Sequence, residues 1–186
     1  PVRCACTALW LHTYPRARPR TLEHVHNQPD PRNPLGPELT DGIQEAIQGF
    51  LDSQEGVTSH VGATPMLELA RTFTSGGKRL RPAFTYWGHV AAAGFPADHA
   101  PLLRASASLD LLHVSALVHD DLIDASDTRR GLPAAHRQFA AQHAAAAGRG
   151  DADAYGSSAA ILLGDLLLIW STELFESSGM PADGIA

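Results

Sequence analysis

Several aspartates and two arginines crowd into one stretch near the middle of the chain, LVHDDLIDASDTRRG, residues 117–131. On a helix, Asp120 and Asp124 would lie one turn apart on the same face, with Asp121 beside them. Carboxylates gathered at the C-terminal end of a helix repel one another and face the negative end of the helix dipole. A hard divalent cation would relieve this repulsion, and Mg²⁺ is usually held by one or two carboxylates plus substrate phosphates. The cluster therefore indicates a Mg²⁺ site.

The same cluster has a simpler explanation. A solvated acidic helix end whose charges are paired with Arg129 and Arg130 would need no metal, and short acidic strings of this kind are common. The choice between the two interpretations depends on the rest of the sequence.

A second charged stretch, SGGKRLRP at residues 75–82, combines a glycine turn with the start of a helix. The two glycines permit a close approach of the backbone, and the helix presents unpaired N–H groups in its first turn. Lys78, Arg79 and Arg81 add full positive charges, and Lys78 is the only lysine of the sequence. These features together predict a site for a phosphate group, and a solvated basic turn is the alternative.

His113 precedes the first aspartate of the cluster by two helical turns and lies on a similar face of the helix. A histidine among leucines is usually a core residue with a satisfied hydrogen bond, but beside a diphosphate it can donate one. His119 projects from another face of the helix, so we interpret it as structural.

The residues around these motifs follow the three-and-four spacing of amphipathic helices. The pattern predicts helices over residues 39–51, 65–73, 80–93, 98–124, 136–147 and 157–176 and a loop over 148–153. Thr40 or Asp41 can cap the first helix. The fourth helix is long and almost wholly apolar, as expected for the middle of a bundle. No alternating strand pattern occurs, so we predict an all-α fold, a bundle of long helices.

Composition and charge exclude several classes of protein. Residues 1–37 are proline-rich without periodicity and are interpreted as a flexible arm, followed by one domain over residues 38–186. The net charge of −6 argues against general binding of nucleic acid. The longest apolar run, residues 159–170, is shorter than a membrane span and contains an aspartate. Cys4 and Cys6 suggest neither a zinc site nor a disulfide framework, so a cytoplasmic location is the default.

The motifs together resemble those of the trans-isoprenyl diphosphate synthases, the polyprenyl synthetases. GGKRLRP, LLHVSALVHDDLIDASDTRRG and GDLLL occur in the order of that family and at close to its spacing. The resemblance covers residues 38–179 and corresponds to the N-terminal half of such an enzyme. It implies an isoprenoid synthase fold, in which long helices surround a deep central cavity, and a homodimer.

The resemblance also implies a role for each matching residue. Asp120, Asp121 and Asp124 would bind the Mg²⁺ ions that bridge to the diphosphate of an allylic substrate, and Arg129 would contact the same diphosphate. The diphosphate of isopentenyl diphosphate would be held without metal by four other side chains, those of Lys78, Arg81, His113 and Arg130.

The implied reaction is ionisation, condensation and elimination. Metal ions stabilise the charge that develops on the departing diphosphate. The double bond of isopentenyl diphosphate then attacks the allylic cation, and loss of a proton to the released pyrophosphate restores an allylic product. The apolar helices exclude water that would quench the cation.

The length of the product is a further expectation. In the family, side chains one turn before the first aspartate can form the floor of the cavity. Those positions here are Ser115 and Ala116, whose small side chains favour geranylgeranyl diphosphate or a longer product over farnesyl diphosphate. Leu112 and Leu109, further up the helix, can stop growth. We expect geranylgeranyl diphosphate, with longer chains as the alternative.

The chain departs from the family pattern in two ways. Residues 138–156 are longer than in many members, and we expect a longer loop and helix at the mouth of the cavity. The second aspartate-rich motif of the family would lie beyond Ala186. We therefore expect a truncated fold that is weakly active or inactive alone and exposes the apolar faces of residues 114–122 and 161–170.

Three functions remain open from the sequence. Elongation of prenyl chains accounts for both charged motifs. A non-catalytic partner subunit, or an inactive fragment of a synthase, would carry the same motifs without using the aspartates for catalysis. A terpene cyclase also uses a DDxxD cluster, but it has no second substrate to hold, so the GGKRLRP loop and Arg130 argue against it.

Overall fold

The computed structural model describes residues 28–181, and most of its helices lie where the sequence predicts them. The chain opens with α1 (Pro37–Ser53), α2 (Glu55–His60), α3 (Thr64–Thr74) and α4 (Leu80–Ala93), of which only α2 is absent from the prediction. The inner face of α1 carries apolar side chains spaced three and four residues apart, and these are buried: Leu39, Ile43, Ala46, Ile47, Phe50 and Leu51.

The cap predicted for α1 is wrong. Gly36 is the N-cap and Pro37 starts the helix, which is favoured because the first helical N–H has no partner in any case. Thr40 already lies inside the helix, where its hydroxyl donates a hydrogen bond to the carbonyl of Gly36 (3.2 Å). The first helical residue therefore comes before both of the predicted caps.

The end of the predicted arm is packed onto the helices. Residues 28–36 form turns, and the indole Nε1 of Trp87 donates a hydrogen bond to the carbonyl of Pro34 (2.7 Å). The rest of the predicted arm, with Cys4 and Cys6, lies outside the described residues.

The central helix of the bundle is α5 (Ala100–Ile123), about 36 Å long. It packs most extensively against α7 (Ala152–Glu176) and also contacts α1, α4 and α3. This position explains its almost wholly apolar sequence, because a helix covered on several sides needs apolar or small residues on each of them. Asp124, predicted as the last helical residue, is the C-cap.

A short antiparallel hairpin, β1 (Thr128–Arg129) and β2 (Leu132–Pro133), follows α5. Arg130 and Gly131 form its turn with φ values of 52° and 80°. Positive φ at both central residues is what a tight type I′ hairpin turn requires. The strands have two residues each, so no alternating pattern marks them in the sequence.

The last two helices, α6 (Ala135–Ala145) and α7, pack against each other. α7 begins earlier than the predicted residue 157, because Asp151 caps it by accepting a hydrogen bond from the N–H of Ala154 (2.9 Å). The longer region predicted at residues 138–156 is thus the C-terminal part of α6, a short loop and the first turn of α7.

The core joins residues of α1, α3, α4, α5, α6 and α7. The apolar face predicted to be exposed on α7 is confirmed at four positions, Ile161, Leu162, Leu168 and Ile169. The corresponding prediction for residues 114–122 is wrong at Val114 and Val118, which are buried in the bundle. Apart from the hairpin, all regular structure in the described residues is helical, which confirms the all-α fold.

α7 is long and apolar enough to cross a membrane by length and composition alone. Its most apolar window has a mean hydropathy of 1.5, and 44% of that window is buried inside the fold. The core helix of a soluble protein has the same properties, so the predicted absence of a membrane span stays a prediction.

Candidate functional site

The acidic cluster lies at the C-terminal end of α5, as predicted. Asp121 is almost fully buried, with 2% of its surface exposed, whereas Asp120 and Asp124 are exposed. Asp124 follows the last helical residue as the C-cap. The three carboxylates therefore differ in their exposure to solvent, although the motif predicts the same role for each.

Arg129 of the hairpin bridges two of these acids. Its Nε lies 2.8 Å and its Nη2 2.5 Å from Oδ1 of Asp121, and Nη2 lies 3.2 Å from Oδ2 of Asp120. The hydrogen bond to Asp121 raises the pKa of Arg129 above its usual value, and the charges of Asp121 and Asp120 act in the same direction. Two carboxylates thus share one cationic group. The alternative interpretation of the cluster, in which arginines pair with its acids, is therefore met at Arg129.

This arrangement fits a hard divalent cation. Asp120 and Asp121 direct oxygens at a common positive group, and such oxygens are the ligands that Mg²⁺ prefers. Within residues 28–181, no three His, Cys, Asp or Glu side chains converge into a complete metal site. A cation held here would therefore take one or two carboxylates from the protein and its remaining oxygens from water or a ligand.

Arg130 points away from the acids and lies against the glycine turn. A Cβ added at Gly77 would come within 3.3 Å of Nη1 of Arg130, so the absence of a side chain permits this approach. Gly77 also has a φ of 104°, which a residue with a Cβ adopts only with strain. The contact brings the hairpin and the SGGKRLRP loop together, as a shared phosphate site requires.

His113 lies near three arginines, Arg81, Arg129 and Arg130. Burial lowers the pKa of His113 below its usual value, and the nearby charges of Arg81, Arg130 and Arg129 lower it further, while Asp110 opposes them. Among residues 28–181, neither Arg81 nor Arg130 forms an ion pair. These positive charges are therefore available to an anionic ligand.

The other predicted cation, Lys78, is exposed in the loop beside Gly77 and forms no ion pair within the described part of the chain. The structure thus brings together the four residues predicted to hold a metal-free diphosphate and places them next to the acidic cluster. These residues are Lys78, Arg81, His113 and Arg130.

The phosphate-binding interpretation is wrong for Arg79. Its side chain is only 2% exposed and forms an ion pair with Asp110 of α5. The sequence does contain a signal for this pair, because Asp110 lies among small and apolar residues in the middle of α5, and buried acids are almost always paired. Residue type alone does not separate Arg79 from Lys78 and Arg81, because all three are cations within four residues.

A cavity of about 180 Å³ opens between α3, α5 and the hairpin. Half of its lining residues are apolar, and Asp121, Arg129 and Arg130 contribute charged groups to the lining. The lining residues are Thr72, Phe73, Ser75, Val114, Leu117, Val118, Asp121, Arg129, Arg130 and Leu132. An apolar pocket with a few convergent charged groups suits a ligand that has both an apolar and a charged part.

The residues predicted to control product length occupy different environments. Ser115 is buried, and its hydroxyl donates a hydrogen bond to the carbonyl of Gly164 in α7 (2.7 Å). Ala116 and Leu112 are exposed on another face of α5. His119 packs against α7 with its Nε2 3.2 Å from the carbonyl oxygen of Ile161, in agreement with a structural role.

The helical bundle thus sets paired carboxylates beside several cations and a partly apolar cavity. Residues 65–183 match the family described as polyprenyl synthetase. The chain belongs to the polyprenyl synthetase family.

Individual relatives agree with this assignment. The chain is 31% identical to a nonaprenyl diphosphate synthase of Mycobacterium tuberculosis over 73% of its length and 34% of that protein. It is 30% identical to a geranylgeranyl diphosphate synthase of Sulfolobus acidocaldarius over 80% of its length and 38% of that protein. The chain therefore spans little more than a third of the length of these relatives.

A solved structure resembles the fold directly. It is a geranylgeranyl pyrophosphate synthase from Corynebacterium glutamicum, complexed with isoprenyl diphosphate and magnesium. The TM-score is 0.74 and the sequence identity 36%, over 78% of this chain and 42% of that one. This similarity agrees with the isoprenoid synthase fold implied by the sequence motifs.

Proposed function

We propose that the protein is a prenyltransferase that condenses isopentenyl diphosphate with an allylic diphosphate, with geranylgeranyl diphosphate as the product. The proposal concerns the whole protein, because this chain covers only 34% to 42% of its relatives' lengths. Family membership supports the class of reaction. The named relatives differ in product length, so the geranylgeranyl product rests on the small residues before the first aspartate.

The observation that carries the proposal is the adjacency of two unlike sites. Asp120 and Asp121 share the guanidinium of Arg129, and the next residue, Arg130, contacts the loop that carries Lys78 and Arg81. Under the proposal, a site for one diphosphate with metal and a site for one diphosphate without metal would lie side by side. Two diphosphate substrates in one reaction need this arrangement, because their reacting carbons must be held close together.

We assign the acidic cluster of Asp120, Asp121 and Asp124 to Mg²⁺ ions, each of which would be held by one or two of these carboxylates and otherwise by water and diphosphate oxygens. Bound there, Mg²⁺ would act as a Lewis acid on the departing diphosphate. Arg129, now paired with the same acids, would turn to the diphosphate of the allylic substrate once a metal took over its carboxylates. The magnesium in the related Corynebacterium structure supports this assignment.

The second substrate would be held by Lys78, Arg81, His113 and Arg130. The three cations carry full charge without partners in residues 28–181, and His113 can donate a hydrogen bond to a diphosphate oxygen. The apolar cavity beside Arg129 and Arg130 would exclude water from the reacting carbons.

Two further assignments are part of the proposal. The homodimer follows from the resemblance to the family; a second copy, or the rest of the protein, would cover the apolar side chains that α7 exposes in this chain. We also propose a cytoplasmic location, in keeping with a chain whose two cysteines suggest no disulfide framework.

Binding and turnover of labelled substrates test the proposal. We expect the protein to bind farnesyl diphosphate only with Mg²⁺ and to incorporate labelled isopentenyl diphosphate into geranylgeranyl diphosphate. Asp121→Asn should weaken the Mg²⁺-dependent binding by at least about tenfold. Asp127→Asn is the matched control, because Asp127 pairs with Arg137 outside the cluster. If no prenyl diphosphate binds in the presence of Mg²⁺, the proposal is wrong.

The exposed face of α7 also favours a second candidate function, that of a non-catalytic subunit of a complete synthase. In that case the protein would associate tightly with a full-length relative. Replacing Asp120 and Asp121 by alanine would then leave the activity of the complex unchanged, whereas the prenyltransferase proposal expects that activity to fall.

A further inference from the structure

Arg79 occupies an unusual position for a cation within a phosphate-binding motif. It is the N-cap of α4, and its backbone has a φ of 49° and a ψ of 31°, in the left-handed region. Residues other than glycine, asparagine and aspartate rarely adopt this conformation, and it persists only where surrounding contacts hold it. The contacts made by its side chain are therefore important for the course of the loop.

Three acceptors hold the Arg79 guanidinium. Its Nη1 pairs with the carboxylate of Asp110, and its Nη2 donates to the side-chain oxygen of Gln44 and to the carbonyl of Thr74 (2.7 Å). The three partners come from α5, α1 and the end of α3, so one side chain joins the loop to three helices. A rigid planar guanidinium can satisfy several acceptors at once, which an ammonium group on a flexible stem does less well.

The partners of Arg79 also act on the glycine turn and on His113. Gln44 accepts a second hydrogen bond, from the N–H of Gly76 at the start of the glycine turn (3.3 Å). Asp110 lies one helical turn before His113 on α5, and its charge acts on that histidine. The network therefore links both ends of the loop to the helix that carries His113.

We infer that Arg79, with Asp110 and Gln44, is a positioning device for the metal-free diphosphate site. Arg79 does not touch the ligand. By turning inward, it directs Lys78 and Arg81 on either side of it outward and fixes their distance from His113 and Arg130. The inference rests on the proposed function, because it presupposes that these four residues bind a diphosphate.

The test measures binding of inorganic pyrophosphate without metal, in the presence of a chelator. Arg79→Lys keeps the charge that Asp110 needs but cannot hold all three acceptors in the same geometry. We expect its Kd for pyrophosphate to rise about tenfold, as for other residues that orient ligand-binding groups, with full binding stoichiometry. A merely structural role would lower the folded fraction, and thus the stoichiometry, and would leave Kd unchanged.

Two variants complete the design. Gln44→Ala removes the oxygen shared by Arg79 and Gly76 without leaving a charge unpaired in the interior, so it serves if Arg79→Lys does not fold, and it should also raise Kd. Arg71→Lys is the matched control, because Arg71 also holds three acceptors, Asp52, Glu55 and Gln48, and these belong to α1 and α2 rather than to the loop. Its Kd should equal that of the wild type.

The possible failures are distinguishable. A wild-type protein that binds no pyrophosphate would remove the metal-free diphosphate site of the proposed function, and the inference with it. A wild-type protein that binds pyrophosphate, with unchanged Kd in Arg79→Lys and Gln44→Ala, would overturn the positioning role alone and leave the proposed function intact.

Discussion

The two adjacent arginines of the hairpin, Arg129 and Arg130, make different contacts. Arg129 faces the acids of α5, and Arg130 faces the glycine turn before α4. Their opposite directions follow from their places in the hairpin, since Arg129 is in β1 and Arg130 is in the turn. Substitution of each one separately should therefore have a different consequence.

Removal of the Arg129 guanidinium should strengthen metal binding in the absence of substrate. Arg129→Met leaves Asp120 and Asp121 without their present counter-ion, so a divalent cation no longer has to displace it. We expect the affinity for Mn²⁺, which prefers the same oxygen ligands, to rise about fivefold, corresponding to ~1 kcal/mol of lost competition. The free-ion signal in electron paramagnetic resonance measures this affinity. Arg130→Met is the control and should leave it unchanged. Weaker Mn²⁺ binding in Arg129→Met would contradict the prediction.

His113 should make the folded protein less stable in mild acid. Burial first, and then the charge of Arg81, lower its pKa, so the fold favours the neutral ring. Its contribution to stability is present above the unfolded pKa of about 6.5 and is lost as the pH falls through the lower folded value.

Thermal unfolding at pH 7 and pH 5 measures this contribution. His113→Asn, which cannot be protonated, should reduce the loss of Tm between these values by up to ~2 °C, a small effect because solvent screens a partly exposed ring. His113→Gln should behave in the same way, since only the charge matters. An equal or larger loss of Tm in both variants would show that other groups dominate.

The contact between α5 and α7 gives Ser115 and Ala116 different surroundings, although the sequence predicts the same role for both. Ser115 is enclosed in this contact, while Ala116 is exposed on the face that also carries Leu112. The two positions should therefore respond differently to an enlarged side chain.

Ala116→Phe should shorten the prenyl product with little change in stability, because its side chain enters open space on α5. Ser115→Phe should instead destabilise the fold by about 1–3 kcal/mol, since it overpacks the contact with α7 and removes the hydrogen bond to Gly164. Chromatography of the labelled products and denaturant unfolding measure the two effects. An unchanged product in Ala116→Phe would remove Ala116 from the floor of the cavity.

α7 exposes apolar side chains to solvent, although the whole chain carries a net charge of −6. Ile169 is 62% exposed and Leu162 is 56% exposed. We expect this face to drive concentration-dependent association of the protein.

Ile169→Glu should weaken that association, because a charge at its centre would have to be desolvated. The concentration at which half of the protein is associated should rise by roughly tenfold, measured by light scattering after size-exclusion chromatography. Val61→Glu is the matched control, since Val61 is 66% exposed but lies just after α2, away from α7. Equal effects of the two substitutions would argue against an interface on α7.

Local pattern was sufficient for much of the architecture. The three-and-four spacing predicts α1, α4, α5 and most of α7, and the apolar character of α5 places it at the centre, because each of these signals is contained in one helix. The spacing of Asp120, Asp121 and Asp124 predicts a cluster at the end of α5 for the same reason. The spacing of apolar residues does not predict the hairpin or α2, because neither element is long enough to show a repeating pattern.

The all-α fold, the family and the two charged motifs therefore follow from local patterns in the sequence. Which cations are available to a ligand depends on the packing of the folded chain: Arg79 turns inward to Asp110, Arg129 pairs with Asp121, and Arg130 reaches Gly77. The first and last of these contacts join segments far apart in the chain, and residue types alone do not specify the direction of a side chain. Adjacent residues of the same charge can therefore have opposite roles.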